Sequence, residues 1–383
     1  MRAPTAHLLI ALAAFSAPMA APESAAQTAG RSCGPPGTWV TPQGRRVIPS
    51  PIPSVAPQSV VLLGEAHDSA EQHRWQLQTL AALHADHPDL VIGFEAFPRS
   101  AQPVLDDWVA GKLSTDAFLS ATDWRRYWGY DSALYQPLFD FARMNRVPMV
   151  ALNVGNDLIA KISRAGLAAV PEAEREGIDL PAPPETAYRD ELQRIGRQHS
   201  GGGGIEAFIE AQTFWDRAFA TALGAARNRL GSPLVVGVLG AGHVSHGYGV
   251  PHQLRALGIE TVVAWMTWDA VDSCDEIPTD LADALFVIDE PLQPPAVPPL
   301  RLGVRLETAE SGVRVVTVAA GSVGAAAGIL PGDILESAAG KALGTPDDVV
   351  ATIARQAPGT WLPMVARRQG EAIDLLAKFP ANP

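Results

Sequence analysis

Two tetrapeptides of the form Gly-x-x-His each follow an apolar run of the sequence. They lie at residues 64–67 (GEAH) and 240–243 (GAGH). A glycine at this place permits a sharp exit from a strand, and a histidine three positions later can point back over the strand end. Glu95 follows another apolar run between the two tetrapeptides. The repeated pattern predicts one shared site rather than two unrelated turns.

Imidazole and carboxylate groups gathered in one site predict hydrolytic chemistry. They could bind a divalent metal ion and leave one position open for an activated water, with Glu65, His67, Glu95 and His243 as candidate metal ligands or catalytic residues. They could also act without a metal, with His67 as a general base oriented by Glu65. No serine or cysteine stands in a nucleophile-elbow context. A metal-dependent hydrolase of the esterase or peptidase type is therefore one functional hypothesis.

Short apolar runs alternate with helical segments in the part of the chain that carries these residues. Such runs are typical of strands buried on both faces of a parallel sheet, here at residues 60–63, 90–94, 148–152, 234–239 and 261–265. The predicted fold class is α/β, with a mostly parallel sheet and helices on both faces. Ligands bind at the carboxyl ends of such strands, where the predicted site residues lie.

Several segments carry weaker signals. Residues 27–58 are predicted to be an irregular N-terminal segment, and residues 171–204 a mobile, polar surface excursion. His73 is predicted to be a solvated or partly buried residue of the first helix. The stretch PLQPPAVPP at residues 291–299 predicts a stiff linker between an α/β domain at 59–290 and a β-rich domain at 300–380.

Charge and the first residues limit partners and location. The net charge of −12 argues against nucleic acid as a partner. Residues 1–26 have the form of a signal peptide, and residues 30–32 before Cys33 do not resemble a lipoprotein site, so we expect a periplasmic protein without a lipid anchor. Cys33 and Cys274 could form one disulfide in that compartment, or remain two thiols.

The β-rich domain resembles the HtrA-like type of PDZ domain. The resemblance is carried by GAAAGILPGDIL at residues 324–335 and covers residues 300–380. It implies a groove in which a peptide or protein C-terminus adds as a strand. The candidate peptide-binding residues are Leu302, Gly303, Val304, Arg305 and Val350.

The α/β domain resembles the ChaN-like haem-binding family of the TIKI/TraB and erythromycin-esterase-like superfamily. Long motifs carry the resemblance between residues 60 and 268, among them VVLLGEAHDSAEQHRWQLQTLAAL, VIGFEAFPRSAQPVLDDWVAG and GAGHVSHGYGVPHQLRALG. The family is associated with iron acquisition in Gram-negative bacteria. Many of its members are lipoproteins, and only some carry a PDZ domain, so this sequence departs from the pattern in both respects.

The resemblance implies a haem site at a surface pocket that a ligand-dependent homodimer closes. Because no Cys-x-x-Cys-His motif occurs, the haem would be bound noncovalently. A tyrosinate ligand would favour ferric iron, and histidines suit the propionates. The candidate haem-binding residues are Tyr248, His246, His252 and Tyr130. Haem binding is the primary hypothesis, and hydrolysis at the Gly-x-x-His site is the alternative.

Overall fold

The computed structural model describes residues 32–43, 46–48, 52–56, 59–199, 204–229, 233–289 and 300–381. The chain divides into two compact units, Met1–Glu290 and Pro291–Pro383. The expected signal peptide at 1–26 and the proline-rich linker at 291–299 lie outside the described residues. Among the described residues, no helix is both long and apolar enough to cross a membrane.

The first unit contains a sheet with the strand order β2-β1-β8-β7-β3-β6-β4-β5. The six strands from β8 to β5 in this order are parallel, whereas β1 and β2 extend the β8 edge in antiparallel fashion. The strands are β1 (Trp39–Thr41), β2 (Arg46–Ile48), β3 (Val60–Glu65), β4 (Val91–Pro98), β5 (Met149–Asn153), β6 (Val235–Gly240), β7 (Val262–Asp269) and β8 (Ala284–Ile288).

Helices cover both faces of this sheet. They are α1 (Ala70–Asp86), α2 (Gln102–Val109), α3 (Thr115–Ala121), α4 (Trp124–Tyr127), α5 (Ser132–Asn145), α6 (Asn156–Ala165), α7 (Thr186–His199), α8 (Gly204–Arg229) and α9 (Val250–Ala256). Side chains alternate along a strand, so Val61 and Leu63 of β3 pack into the core with α1, α2 and α5, while Val60 and Leu62 pack into the core with α6 and α8. The prediction of an α/β fold with two covered faces is confirmed.

The structure corrects the prediction of an irregular segment at residues 27–58. This segment contains β1 and β2, and Trp39 of β1 packs edge-on against Trp265 and Phe286. A disulfide joins Cys33 to Cys274. The edge of the sheet beside β8 is therefore built from the amino-terminal segment, which the strand pattern did not indicate because each added strand has only three residues.

The structure also corrects the prediction of a mobile excursion at residues 171–204. Residues 186–199 of this stretch form α7, a helix of 14 residues. Tyr188 and Leu192 of α7 pack against Phe208 and Ile209 of α8. The polar and proline-rich composition of the stretch concealed this helix, since its apolar positions are few and are buried by packing against a neighbour.

The second unit is built on an antiparallel sheet with the order β14-β13-β11-β10-β9 and with β12 paired to β11. Its elements are β9 (Val304–Ala309), β10 (Gly312–Val318), α10 (Val323–Ala326), β11 (Ile334–Ala338), β12 (Lys341–Ala342), α11 (Pro346–Ala354), β13 (Trp361–Arg368) and β14 (Glu371–Lys378). Its core includes Leu335, Val349 and Leu362. The second unit is therefore the β-rich domain that the sequence predicts.

Candidate functional site

Three adjacent strands bring the predicted polar residues together at one edge of the sheet. Glu65 ends β3, Glu95 lies in β4, and His243 occupies the turn directly after β6, which lies between β3 and β4. A Cβ atom at Gly240 would lie only 3.0 Å from His67 Nε2 and 3.5 Å from Glu95 Oε2. The glycine of the second tetrapeptide therefore gives these two side chains room to meet over the end of β6.

Glu65 is the centre of the first hydrogen-bonded group. His67 Nδ1 donates to Glu65 Oε1 at 2.9 Å, and the Tyr135 hydroxyl donates to the same oxygen at 2.5 Å. Gln76 Nε2 donates to Glu65 Oε2 at 2.6 Å. Glu65 and His67 are 3 % and 9 % exposed. Tyr135, Glu65 and His67 thus form a buried tyrosine–carboxylate–histidine triad.

Asp216 is the centre of a second triad of the same composition. His243 Nδ1 donates to Asp216 Oδ1 at 2.6 Å, and the Tyr188 hydroxyl donates to Asp216 Oδ2 at 2.8 Å. All three side chains are buried. His243 Nε2 makes no hydrogen bond within the described structure and lies 3.7 Å from Glu95 Oε1. The second histidine therefore directs a buried, unused nitrogen towards Glu95.

Glu95 lies between the two triads and is itself held in place. Its Oε2 accepts a hydrogen bond of 2.6 Å from the backbone N–H of Gly240. Asn153, at the end of β5, donates through Nδ2 to the backbone oxygen of Glu95 at 3.0 Å and accepts through Oδ1 from Trp215 Nε1 at 2.6 Å. These contacts fix Glu95 to β5, β6 and α8.

Burial and charge act in opposite directions on the two histidines. Burial opposes the charged form of His67, but the hydrogen bond to Glu65 and the charges of Glu95 and Glu65 outweigh it and raise the pKa of His67. Burial likewise opposes the charged form of His243, but the charge of Glu95 and the bond to Asp216 raise the pKa of His243. Both imidazoles are thereby favoured as cations beside Glu95.

The carboxylates respond differently because their partners differ. Burial would raise the pKa of Glu65, but the hydrogen bond from His67 and the positive charges of His73 and His67 lower it below the ordinary value. Burial raises the pKa of Asp216 in spite of its bond to His243. Glu65 is therefore the more firmly ionised of the two.

The arrangement suits proton transfer. Because each Nδ1 donates to a carboxylate, the proton that each histidine can exchange is on Nε2. Among the residues that the structure describes, no group of three or more His, Cys, Asp or Glu side chains is arranged to hold a metal ion. The structure brings together the four predicted residues Glu65, His67, Glu95 and His243. Their arrangement is not specific for a metal.

The candidate haem-binding residues divide between two places. Tyr130 is half-buried and lies beside His67, with ring centroids 5.1 Å apart, and Trp128 lies 4.6 Å from the same imidazole. Tyr248 instead stacks on His246 at 5.2 Å and approaches Tyr188 at 5.9 Å. Of the four candidates, Tyr130 is thus the one that contacts His67.

His246 and His252 already have partners. His246 Nδ1 lies 3.1 Å from Asp280 Oδ1, and His252 Nε2 donates to the backbone oxygen of Pro183 at 2.9 Å. His246 also lines a cleft of about 160 Å³ together with Arg255. This cleft is smaller than the pockets that enclose drug-sized ligands, so it could not enclose a porphyrin.

Sequence reasoning missed the residues that orient the two histidines. Gln76 and Tyr135 lie within long motifs of the family resemblance, but no spacing in the sequence marked either of them as a partner of Glu65. Tyr188 lies in the stretch predicted to be mobile. Asp216 lies next to Trp215 in an apolar stripe of α8. A single acidic residue within that stripe was the only sign in the sequence that α8 contributes to the site. His73, predicted to be solvated or partly buried, is only 3 % exposed, and its Nε2 lies 3.6 Å from Glu65.

The described residues include groups of the kinds that a haem needs. Tyr130 offers a phenol oxygen, and its ring and that of Trp128 offer flat apolar surface at the sheet edge. Elsewhere in the first unit, the buried Nε atoms of Arg99 and Arg217 have no hydrogen-bond partner within the described structure. These donors could bind carboxylates, so the residues present fit the group that the sequence resemblance implies.

The predicted peptide-binding residues lie along the edge of the second sheet. Val304 and Arg305 belong to β9, which is the edge strand next to β10. Gly303 has a φ of +75°, and a Cβ there would lie 2.3 Å from Ser322 Cβ, so only glycine fits. Leu302 is buried, and Val350 of α11 is 47 % exposed. Strand, glycine turn and helix thus supply the elements of a peptide groove.

Comparisons with known proteins agree with these features. The family described as haem-binding uptake, Tiki superfamily, ChaN matches residues 52–254, and the PDZ domain family matches residues 314–368. No curated protein matches the chain. A solved structure titled cofacial heme binding to ChaN of Campylobacter jejuni is 16% identical, covers 65% of this chain and 95% of that chain, and has a TM-score of 0.48.

Two solved structures are similar to the second unit. The HtrA-type protease AlgW with decapeptide is 23% identical, with 22% of this chain and 29% of that chain covered and a TM-score of 0.21. The HtrA3 PDZ domain bound to a phage-derived ligand is 21% identical, with 20% and 83% covered and a TM-score of 0.19. Because the first family match spans more than half of the 383 residues, the chain belongs to the ChaN family of haem-binding uptake proteins in the Tiki superfamily, and it carries a PDZ domain after that region.

Proposed function

We propose that this protein is an exported haem-binding protein that serves iron acquisition in the periplasm of a Gram-negative bacterium. The observation that carries the proposal is the match of the haem-binding family to residues 52–254, the region that contains most of the buried site. The signal-peptide pattern at residues 1–26 supports export. The PDZ domain would bind a peptide or the C-terminus of a partner protein, and haem binding would promote a homodimer.

Tyr130 is the first candidate for the residue that would hold the haem iron. When bound, haem supplies a ferric iron that a phenolate can ligate. Burial and the charges of Asp68, Glu95 and Glu65 raise the pKa of Tyr130, so its hydroxyl keeps its proton until a metal competes for the oxygen. Tyr248 is the second candidate, but its ring is stacked on His246.

A hemin titration of the full chain, followed by absorbance, tests the proposal. We expect a saturable Soret shift that Tyr130→Phe weakens at least about tenfold and that Tyr127→Phe, a half-buried neighbour, leaves unchanged. Loss of binding in Tyr248→Phe instead would assign the ligand to the second place. The absence of a saturable shift in the natural chain would refute haem binding.

Hydrolysis is the second candidate function, and one observation favours it. His243 Nε2 is buried, has no hydrogen-bond partner in the described structure and faces Glu95, while its Nδ1 is fixed by Asp216. A histidine held in this way can act as a general acid or base. Assays with p-nitrophenyl acetate and a fluorogenic peptide mixture test this function. Turnover that His243→Gln and Glu95→Gln abolish would support it, and no turnover above buffer would reject it.

A further inference from the structure

Strand β9 of the second unit presents different side chains to the core and to the solvent. Val304 and Leu306 are partly buried and pack against the core of that unit. Arg305 and Glu307, which alternate with them, are exposed. Because successive side chains of a strand point to opposite faces, Arg305 and Glu307 lie together on the solvent face of the sheet, at the edge that β9 forms.

The two charges on this face are not equivalent. Glu307 lies directly opposite Arg314 of β10, and Arg314 Nε lies 3.5 Å from Glu307 Oε1. Arg305 lies opposite Thr317, which carries no charge. Among the residues that the structure describes, the side chain of Arg305 forms no ion pair. Glu307 therefore already has a partner of opposite charge, whereas the guanidinium of Arg305 is available to a charge from outside the chain.

The loop before β9 sets the direction in which a peptide C-terminus can enter. The backbone oxygen of Leu302 accepts a hydrogen bond of 2.7 Å from the N–H of Gly324. The backbone oxygen of Gly303 accepts one of 2.8 Å from the N–H of Ala319, but the N–H of Gly303 donates to no backbone group of the described structure. A free N–H in such a loop can donate to a terminal carboxylate. The peptide would then run antiparallel to β9, with its last residue beside Val304.

This register places the penultimate residue of the peptide opposite Arg305. In an antiparallel pair, residues directly opposite each other carry their side chains on the same face, with Cβ atoms about 4.5–5.5 Å apart. The last residue shares the face of Val304, towards the core, and the residue before it shares the solvent face of Arg305. The fourth residue from the end returns to the solvent face opposite Glu307, whose charge Arg314 already opposes.

We propose that Arg305 gives the PDZ domain a preference for peptides whose penultimate residue is aspartate or glutamate. The inference rests on the peptide binding proposed above. An opposite charge directly across from a strand residue stabilises the pair, and a like charge there destabilises it. Because Arg305 is exposed, solvent and salt screen the interaction, so we expect a preference of about two- to fivefold rather than a strict requirement.

Fluorescence anisotropy with the full chain tests the preference. The probes are fluorescein-labelled hexapeptides that end in a free valine carboxylate and differ only in a penultimate glutamate, glutamine or lysine. We expect the glutamate peptide to bind about two- to fivefold more tightly than the glutamine peptide, and the lysine peptide to bind most weakly. These differences should shrink when the salt concentration rises from about 50 mM to about 500 mM, since screening weakens exposed charge pairs.

Variants of Arg305 assign the preference to this side chain. Arg305→Gln should bind the glutamate and glutamine peptides equally well, and Arg305→Glu should bind the lysine peptide more tightly than the glutamate peptide. Arg305→Lys keeps the charge and should keep the order of the natural chain. Arg164→Glu, at an exposed position of α6 in the first unit, is the matched control and should also keep that order. A glutamate placed fourth from the end, opposite Glu307, should bring a smaller gain than a penultimate one.

The outcomes separate this preference from peptide binding itself. If the natural chain binds none of the peptides, peptide binding fails and the preference fails with it. If it binds all three equally well, peptide binding stands and only the preference is overturned. An order that Arg305→Gln preserves, or an equal weakening of every peptide by Arg305→Glu, would overturn the role of Arg305. Because the peptides are compared on the natural chain, the proposal can be overturned even if a variant fails to fold.

Discussion

Asp216 and His243 form a hydrogen bond of 2.6 Å in which both side chains are almost completely buried. The bond joins α8 to the turn after β6, and it leaves His243 Nε2 directed towards Glu95. On the other side of Glu95, Glu65 likewise accepts a hydrogen bond from Nδ1 of His67. The site therefore consists of two histidines, each oriented by its own carboxylate, around one central carboxylate.

The first prediction concerns the charge of His243. Asp216→Asn removes the negative charge but keeps an oxygen that can accept a hydrogen bond from Nδ1. Because less negative charge then opposes the effect of burial on the imidazolium, the pKa of His243 will fall. Proton NMR titration of the histidine rings, with His243→Gln for assignment, measures the change. Asp190→Asn, an exposed position of α7, should leave the titration as it is. An unchanged titration in Asp216→Asn would show that Asp216 does not control His243.

The second prediction concerns the dependence of stability on pH. The pKa values of His67 and His243 are raised above their ordinary value of 6.5 in the folded state, so the folded state binds more protons than the unfolded state above pH 6.5. Their contribution to the free energy of unfolding is present below pH 6.5 and is lost as pH rises through the folded pKa values.

Urea denaturation at a series of pH values measures this effect. The natural chain should lose stability as pH rises from 6.5, and the double variant His67→Gln/His243→Gln should have a flatter curve over that range. His84→Gln, which changes a half-buried histidine at the end of α1, is the control and should keep the slope of the natural chain. If stability of the double variant falls with pH as steeply as that of the natural chain, the prediction is wrong.

The third prediction concerns the disulfide between Cys33 and Cys274. It joins residues separated by 241 positions, and both cysteines are buried. Closing so long a loop restricts the unfolded chain, and losing a native disulfide typically costs about 2–5 kcal/mol. The variant Cys33→Ala/Cys274→Ala should lose stability of this order in urea. Reductant should lower the stability of the natural chain to a similar extent and leave the variant unaffected; equal stability with and without reductant would refute the prediction.

The parts of the fold that the sequence indicated share one physical property. Strands β3, β4 and β6 are buried on both faces, so they are short continuous apolar runs with polar residues at their ends. That property was sufficient to group Glu65, Glu95, His67 and His243. It also predicted the alternation of strands and helices.

The parts that could not be predicted depend on contacts between distant segments. Tyr188 and Asp216 are 28 positions apart and meet only because α7 packs on α8. The disulfide and the pairing of β1 form only because residues 274–288, which are distant in sequence, lie beside the amino-terminal segment. No local pattern distinguishes a buried arginine, such as Arg217, from an exposed one.

The fourth prediction concerns peptide binding by the second unit. Within the described strands β9 pairs only with β10, so its other edge can accept a peptide as an added strand. Val350 of α11 is 47 % exposed, which leaves an apolar side chain available to the last residue of that peptide. We therefore expect the full chain to bind a fluorescein-labelled peptide that ends in a free valine carboxylate, and to bind its amide more weakly.

Val350→Asp should weaken binding of the free-acid peptide about tenfold, because it replaces apolar contact area with a charge that repels the peptide carboxylate. Fluorescence anisotropy measures the affinity. Val271→Asp is the matched control, since Val271 is an exposed valine of the first unit with 80% exposure, and it should bind like the natural chain. If both variants bind equally well, the peptide does not occupy the groove between β9 and α11. If the free acid and the amide bind equally well, the groove does not recognise a C-terminus.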